Sequence, residues 1–173
     1  MNEDNKPSNP TRRRWLQAGL SAPPVVMTVV SRPVLGATQF CVPPSAYVSL
    51  PTSTPGMYGD CSGNGPDTWK DANGWPQQYP QSRKFNRDFS PPLDDNPTYL
   101  QMLSGDNDVA KYIVAAKLNL VAGLVPEGVL SAATLQHIWG EYATSGGFKP
   151  TTSGATWGPA EIVDYLRSTM TSS

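Results

Sequence analysis

Two short runs of carboxylates are the residues of this chain whose type and spacing could support hydrolysis. Asp94 and Asp95 are adjacent, and Asp106 and Asp108 stand two positions apart. Two carboxylates that face each other across a sugar could act as the acid and base, or the acid and nucleophile, of a glycoside hydrolase. Helix capping explains Asp106 and Asp108 as well, and a turn explains Asp94 and Asp95.

Other catalytic and metal-binding chemistries lack the residues that they need. His137 is the only histidine, and we expect it on the polar side of a helix beside Glu141, at the i+4 spacing. Nucleophilic catalysis needs such a base next to a serine or cysteine. The common zinc sites need three or four ligands, and the aspartates do not match the EF-hand calcium loop. The sequence therefore predicts no catalytic residue, no metal and no cofactor.

The N-terminal 37 residues resemble an export signal. Arg12 and Arg13 precede a variable position, Trp15 and Leu16, and this order resembles the bacterial twin-arginine signal. The apolar run that follows is interrupted by glycine and proline, so it is too short to span a membrane. It ends in small residues that suit cleavage after Ala37. The alternative is a basic arm of a cytoplasmic protein that binds nucleic acid or an acidic surface.

Removal of this signal would leave an acidic chain of one-domain size. The whole sequence has 13 Lys and Arg against 14 Asp and Glu, but residues 38–173 carry 8 against 12. A net charge of −4 on 136 residues argues against binding to nucleic acid phosphates. We expect residues 38–95 to be loop-rich and residues 96–173 to be helical, within one mature domain.

Both cysteines lie in the exported part, so we expect a disulfide between Cys41 and Cys61. Such a bond closes a loop that contributes roughly 3 kcal/mol in the chain-entropy model. Two free thiols are the alternative, because a sequence does not give the distance between them.

Aromatic side chains in the loop-rich part could form a ligand surface. Trp69, Trp75 and Tyr79 alternate with glycine, asparagine and proline, and their rings could stack on sugars or peptides. They could equally anchor irregular backbone to a core, since each ring buries about 150–250 Å². The sequence favours packing, and the three residues stay a candidate ligand surface.

The C-terminal part has the caps and apolar spacing of helices. Only residues 46–50 alternate with a two-residue period, as a short strand would. The second predicted helix is apolar on nearly every side, so it should be central. The fold class is mainly α, a small helical bundle with an N-terminal loop-rich, disulfide-pinned region. The predicted helices are 97–103 with an Asn96 cap, 108–124 capped at Asn107 or Asp106, 132–143 with a Ser131 cap, and 159–170.

Short motifs resemble those of a group of uncharacterised bacterial exported proteins. The resemblance is carried by Trp69-Lys70, Trp75-Pro76, the helical Ala115-Ala116-Lys117-Leu118-Asn119 and the terminal Tyr165 to Met170. Asp71 stands where such relatives have asparagine after the Trp-Lys pair. The resemblance implies an exported helical domain and gives no catalytic residues.

These observations favour an exported, non-catalytic binding or structural protein of the periplasm or the extracellular space. Its partners would be the twin-arginine translocase and a protein or glycan ligand, without nucleic acid and without a membrane span in the mature form. The enzymatic alternative is an extracytoplasmic glycan hydrolase that uses paired carboxylates. A further alternative is an escort that carries another protein through the translocase.

Overall fold

The described part of the chain is helical. The computed structural model describes residues 41–50 and 60–171, and the predicted export signal lies outside them. Within those ranges there are isolated β-bridges and no strand, so the predicted mainly α fold is confirmed. The helices are α1 (Pro44–Tyr47), α2 (Pro66–Asp71), α3 (Tyr99–Ser104), α4 (Asp108–Val121), α5 (Ala132–Ser145) and α6 (Pro159–Ser168).

Helix α4 is the central element of the bundle, as its apolar circumference predicts. It contacts α2, α3, α5 and α6, and eight of its residues are buried. Asn107 caps its first turn, with the side-chain oxygen accepting a hydrogen bond from the Ala110 N–H at 3.1 Å. The helix ends three residues before the predicted Leu124, because the chain turns at Gly123, where φ is +71°.

Helices α5 and α6 both pack against α4. Ser131 caps α5 by accepting from the Thr134 N–H at 3.0 Å, and Leu135, Ile138 and Trp139 are buried beneath it. The Glu161 carboxylate in α6 accepts a hydrogen bond from the Gly158 N–H at 2.8 Å, which fixes the start of that helix.

The prediction that Asn96 caps α3 and that the helix begins at Pro97 is wrong by two residues. Asn96 has a φ of +41°, a left-handed conformation that turns the chain before the helix. Thr98 is the cap instead, accepting from the Gln101 N–H at 3.2 Å while its own N–H donates to the Gln101 side chain at 2.7 Å. This reciprocal pair is a capping box, and the preceding Pro97 is buried.

Two short helices lie where only loop and strand were predicted. The strand predicted from the alternation in residues 46–50 is wrong, because α1 occupies part of that segment and a turn follows it. Proline at the first position of α1 and of α2 pre-sets a helical φ. Trp69 on α2 is buried in the core, and the half-buried Tyr47 ring on α1 makes T-shaped contacts with Trp157 and Tyr165, which holds these short helices in place.

The disulfide between Cys41 and Cys61 is confirmed and ties α1 to the start of the helical body. The two Cα atoms are 5.4 Å apart, within the range that a disulfide spans. Past Cys61, Gly63 accepts a hydrogen bond from the Thr171 N–H at 2.7 Å. The loop-rich segment is thereby joined to the C-terminal end of the chain.

In the described part of the chain, no helix is both long enough and apolar enough to cross a bilayer.

Candidate functional site: a cationic cleft

An open cleft of about 400 Å³ lies along the loop between Trp75 and α3. Three of its lining side chains are cationic, and the other side chains are two polar residues and a proline, with no carboxylate among them. The lining residues are Gln78, Pro80, Ser82, Arg83, Lys84 and Arg87.

Backbone hydrogen bonds hold this loop against the N-terminal end of α3. The Phe85 N–H donates to the Pro97 carbonyl at 2.9 Å, and the Tyr99 N–H donates to the Arg83 carbonyl at 2.8 Å. Phe85 itself is fully buried, stacked on Phe89 and edge-on to Trp139. The wall of the cleft is therefore fixed by the core, although its outer side chains face solvent.

Arg83 closes the loop and has a carboxylate partner. Its Nε and Nη2 atoms donate to the two carboxylate oxygens of Asp88, each at 2.5 Å, and its Nη1 atom donates to the Gln78 carbonyl at 3.0 Å. This two-pronged pairing suits the planar guanidinium group. The side chains of Arg83 and Asp88 are only 16% and 12% exposed, so the pair is shielded from water.

Tyr99 completes a buried triad with that ion pair. Its hydroxyl donates to Asp88 Oδ2 at 2.9 Å. Burial acts to raise the pKa of Asp88, but the hydrogen bonds from Arg83 and Tyr99 outweigh it, and the pKa lies below its ordinary value. Burial, together with the neighbouring Asp88, raises the pKa of Tyr99. Asp88 is thus held as the anion and Tyr99 as the neutral phenol.

Tyr79 contacts two cations, one of which, Arg83, lines the cleft. The Arg83 guanidinium carbon lies 4.2 Å from the centre of the Tyr79 ring, and Lys117 Nζ lies 5.4 Å from it. Both distances fall within cation–π range. Of the predicted ligand surface, Tyr79 alone is therefore linked to the cleft by these contacts, through Arg83.

Lys84 and Arg87 carry positive charge at the cleft, and no carboxylate of the described residues pairs with it. Lys84 Nζ donates to a main-chain carbonyl, that of Asn96, at 3.1 Å. No ion pair is recorded for Arg87 in the described residues, and both side chains belong to exposed residues. Sequence reasoning missed these two residues, although three cations within five positions of an acidic chain were a signal.

Trp69 and Trp75 serve packing in this structure. Trp69 is 4% exposed and belongs to the core. Trp75 is half-buried, donates its indole N–H to the Trp69 carbonyl at 2.9 Å, and meets the Trp69 ring edge-on. The Trp69 indole N–H in turn donates to Asn119 Oδ1 at 2.9 Å.

Asn119 is a third residue whose role sequence reasoning missed. It is fully buried in α4, where its Oδ1 accepts from the Asn64 N–H at 2.8 Å as well as from Trp69. Its Nδ2 donates to the Asn64 carbonyl at 2.9 Å. The side chain therefore clamps the segment that follows the disulfide onto the central helix.

The carboxylates considered for hydrolysis occupy ordinary structural positions. Asp94 and Asp95 are exposed in the turn that leads to Asn96, and Asp108 pairs with Lys111 in the first turn of α4, at 3.3 Å. None of them lines the cleft.

His137 lies where its helical position predicts. Its side chain is 62% exposed and its Nε2 atom is 3.1 Å from Glu141 Oε1. No cluster of three or more potential metal ligands occurs in the described residues.

Comparison with protein-family models, with curated proteins and with solved structures found no match to this chain.

Proposed function

We propose that this chain is an exported, non-catalytic binding protein, delivered by the twin-arginine route to the periplasm or beyond the cell, and that it binds its ligand at the cationic cleft. The cleft itself carries the proposal. It is a concave surface on a fixed wall, and its lining is basic although residues 38–173 are acidic overall. Concave sites with a few oriented polar groups are the usual place for a ligand.

The export part of the proposal is supported by the disulfide and by the N-terminal motif. A disulfide persists in oxidising compartments and is rare in the cytosol. The order Arg12, Arg13, Trp15, Leu16 resembles a twin-arginine signal, and Ala37 suits the cleavage position. Export by this route would deliver a chain that has already folded.

The alternative of glycan hydrolysis has less support from the geometry. Hydrolysis of this kind needs two carboxylates on either side of a bound sugar, and the cleft lining contains none. Asp88 contacts the lining residue Arg83, but its oxygens are occupied by Arg83 and Tyr99.

A reporter fusion tests the export route. A reporter placed after residue 40 should leave the cytoplasm, and a matched fusion with Arg12→Lys and Arg13→Lys should stay inside, because the translocase requires the arginine pair. A reporter that stays in the cytosol with the native motif would contradict the route. So would export that is unchanged by the two lysines.

Site-specific photocrosslinking tests whether the cleft is the binding surface. A photoreactive residue at Ser82, which is exposed and lines the cleft, should capture a ligand or partner in the native cell envelope. The same probe at Ser153, which is exposed in the loop between α5 and α6, is the matched control. Equal capture at the two positions would place binding elsewhere.

A further inference from the structure

We propose that the ligand of the cationic cleft is a small multivalent oxyanion, a phosphate ester or a polycarboxylate, held by Lys84 and Arg87. This inference rests on the proposed function, because it names the chemical class bound at the same cleft. In this inference Lys84 and Arg87 bind the ligand, whereas Arg83, which is paired with Asp88, holds the loop in place.

The first step is the division of charge among the three lining cations. Arg83 is balanced by Asp88 through two hydrogen bonds, and its third contact goes to the Gln78 carbonyl. Within residues 41–50 and 60–171, the Lys84 ammonium donates to the neutral Asn96 carbonyl, and neither Lys84 nor Arg87 forms an ion pair. The lining therefore presents two uncompensated positive charges, which match a ligand with at least two negative charges.

The second step is the fixed geometry of the two cations. Lys84 and Arg87 flank Phe85, which is fully buried, and Arg87 is the last residue of a single 3-10 turn over Phe85–Arg87. The Phe85 N–H is fixed to Pro97. The main chain that carries both cations is therefore ordered before a ligand arrives, so binding need restrict only two side chains.

The third step is the size of the site and the chemistry of its other groups. A cleft of about 400 Å³ is near the lower end of small-molecule sites. Ser82 and Gln78 add a hydroxyl and an amide that can donate to anionic oxygens. An arginine fork and a lysine point charge are the usual partners of phosphate and carboxylate groups.

The test is titration of the full-length, disulfide-bonded chain with pyrophosphate and, in a separate arm, with citrate. Binding should be measured by calorimetry and by amide chemical shifts, at about 10 mM and about 100 mM salt, where the Debye length falls from about 30 to about 10 Å. We expect saturable binding, shifts centred on residues 78–87, and weaker binding at the higher salt. Preference for pyrophosphate or citrate distinguishes the phosphate source from the carboxylate source.

The decisive variant is Lys84→Gln with Arg87→Gln. Glutamine keeps a donor for the Asn96 carbonyl and removes both charges. The matched control is Lys70→Gln with Lys149→Gln, which lowers the net charge equally but acts on α2 and on the loop after α5. We expect the cleft variant to lose at least tenfold in affinity and the control to lose less than twofold.

Two results overturn the inference: no saturable binding of either anion by the native chain, or equal losses in the two double variants. Circular dichroism and the unfolding midpoint must first show that both variants fold as the native chain does. Failure here is distinct from failure of the proposed function, because crosslinking at Ser82 does not depend on ligand charge. A partner captured at Ser82 without anion binding would retain the cleft as the binding surface and reject only the oxyanion.

Discussion

Replacement of Asn119 tests whether a buried amide fixes the loop-rich segment to the bundle. Asn119→Ala leaves the Asn64 N–H, the Asn64 carbonyl and the Trp69 indole N–H without their partner. Each buried polar group left unsatisfied costs about 1–3 kcal/mol. Asn64 is only half-buried, so water can recover part of this loss. We expect the free energy of unfolding to fall by about 3–5 kcal/mol, a large share of the 5–15 kcal/mol typical of a domain.

The isosteric variant Asn119→Asp gives the same hypothesis a pH dependence. A neutral carboxylic acid can accept from Asn64 and Trp69 and still donate to the Asn64 carbonyl, whereas a carboxylate cannot donate. Burial at this position should raise the pKa of the new carboxyl above its unfolded value of about 3.9. Because the folded pKa is the higher one, stability should be nearly native below that unfolded pKa. It should be lost as the pH rises through the folded pKa.

The assay is urea unfolding of the disulfide-bonded chain, followed by circular dichroism across this pH range. The matched control is Asn73→Asp, which makes the same chemical change at an exposed position and should follow the native pH profile. The hypothesis is refuted if Asn119→Ala unfolds within about 0.5 kcal/mol of the native chain, the range of ordinary surface changes. A shared profile for the two aspartate variants would refute it equally.

Three further changes test the surrounding contacts by the same unfolding measurement. Gly63→Ala should lower the free energy of unfolding by about 1–3 kcal/mol, because the added Cβ would lie 2.7 Å from both Asn119 Nδ2 and the Thr169 carbonyl oxygen. The control is Gly65→Ala, whose Cβ would have no heavy atom within 4 Å. Reduction of the Cys41–Cys61 disulfide should lower the free energy of unfolding by about 3 kcal/mol and leave the helical circular dichroism spectrum intact. Loss of that spectrum would show that the helical bundle requires the disulfide. Asp88→Asn should cost about 2–3 kcal/mol at neutral pH. The pKa of Asp88 is lower in the folded chain than its unfolded value of about 3.9. The extra stability of the native chain over Asp88→Asn should therefore be lost as the pH falls from about 3.9 through the folded pKa. The variant should show no such loss, because it has no carboxyl at this position.

The helices that the sequence predicts correctly are those whose signals are local. Asn107 and Ser131 accept hydrogen bonds from the helical N–H groups three residues on, as a cap must. Apolar spacing identifies the buried face of α5 because the three- and four-residue steps place Leu135, Ile138 and Trp139 on one side of the helix. In these helices the local sequence pattern and the tertiary packing favour the same structure, so the sequence is enough to predict them.

The errors occur where a residue has two local roles. Asn96 is a good cap, but asparagine is also one of the residues that tolerate a left-handed conformation, and here it adopts a φ of +41°. Thr98 and Gln101 then supply the capping box. In α1 and α2, proline and glycine indicate a turn as readily as a helix start, and only the packing of Tyr47 and Trp69 against residues distant in sequence decides between them.

The candidate site could be predicted only in part, for a physical reason. An exposed cation has the same local pattern whether it is solvated or lines a cleft, so Lys84 and Arg87 could be noticed only by their density in an acidic chain. Their significance comes from Asp88, which neutralises Arg83 and leaves the other two. Which cation pairs with Asp88 depends on the folded structure, so the sequence alone does not show it.

The short motifs that contain Trp69, Trp75 and Asn119 have a structural explanation in this chain. Trp75 donates to the Trp69 carbonyl, Trp69 donates to Asn119, and Asn119 holds Asn64 close to the disulfide. Gly63, beside Asn64, pairs with the chain end at Met170 and Thr171. Trp69 and Asn64 thus meet at one buried amide side chain, that of Asn119.

The cationic segment is separate from that network. No lining residue of the cleft is hydrogen-bonded to Asn119, Trp69 or Trp75 among the contacts of the described residues. Exposed positions of the lining can therefore change without disturbing the hydrogen bonds that hold the fold.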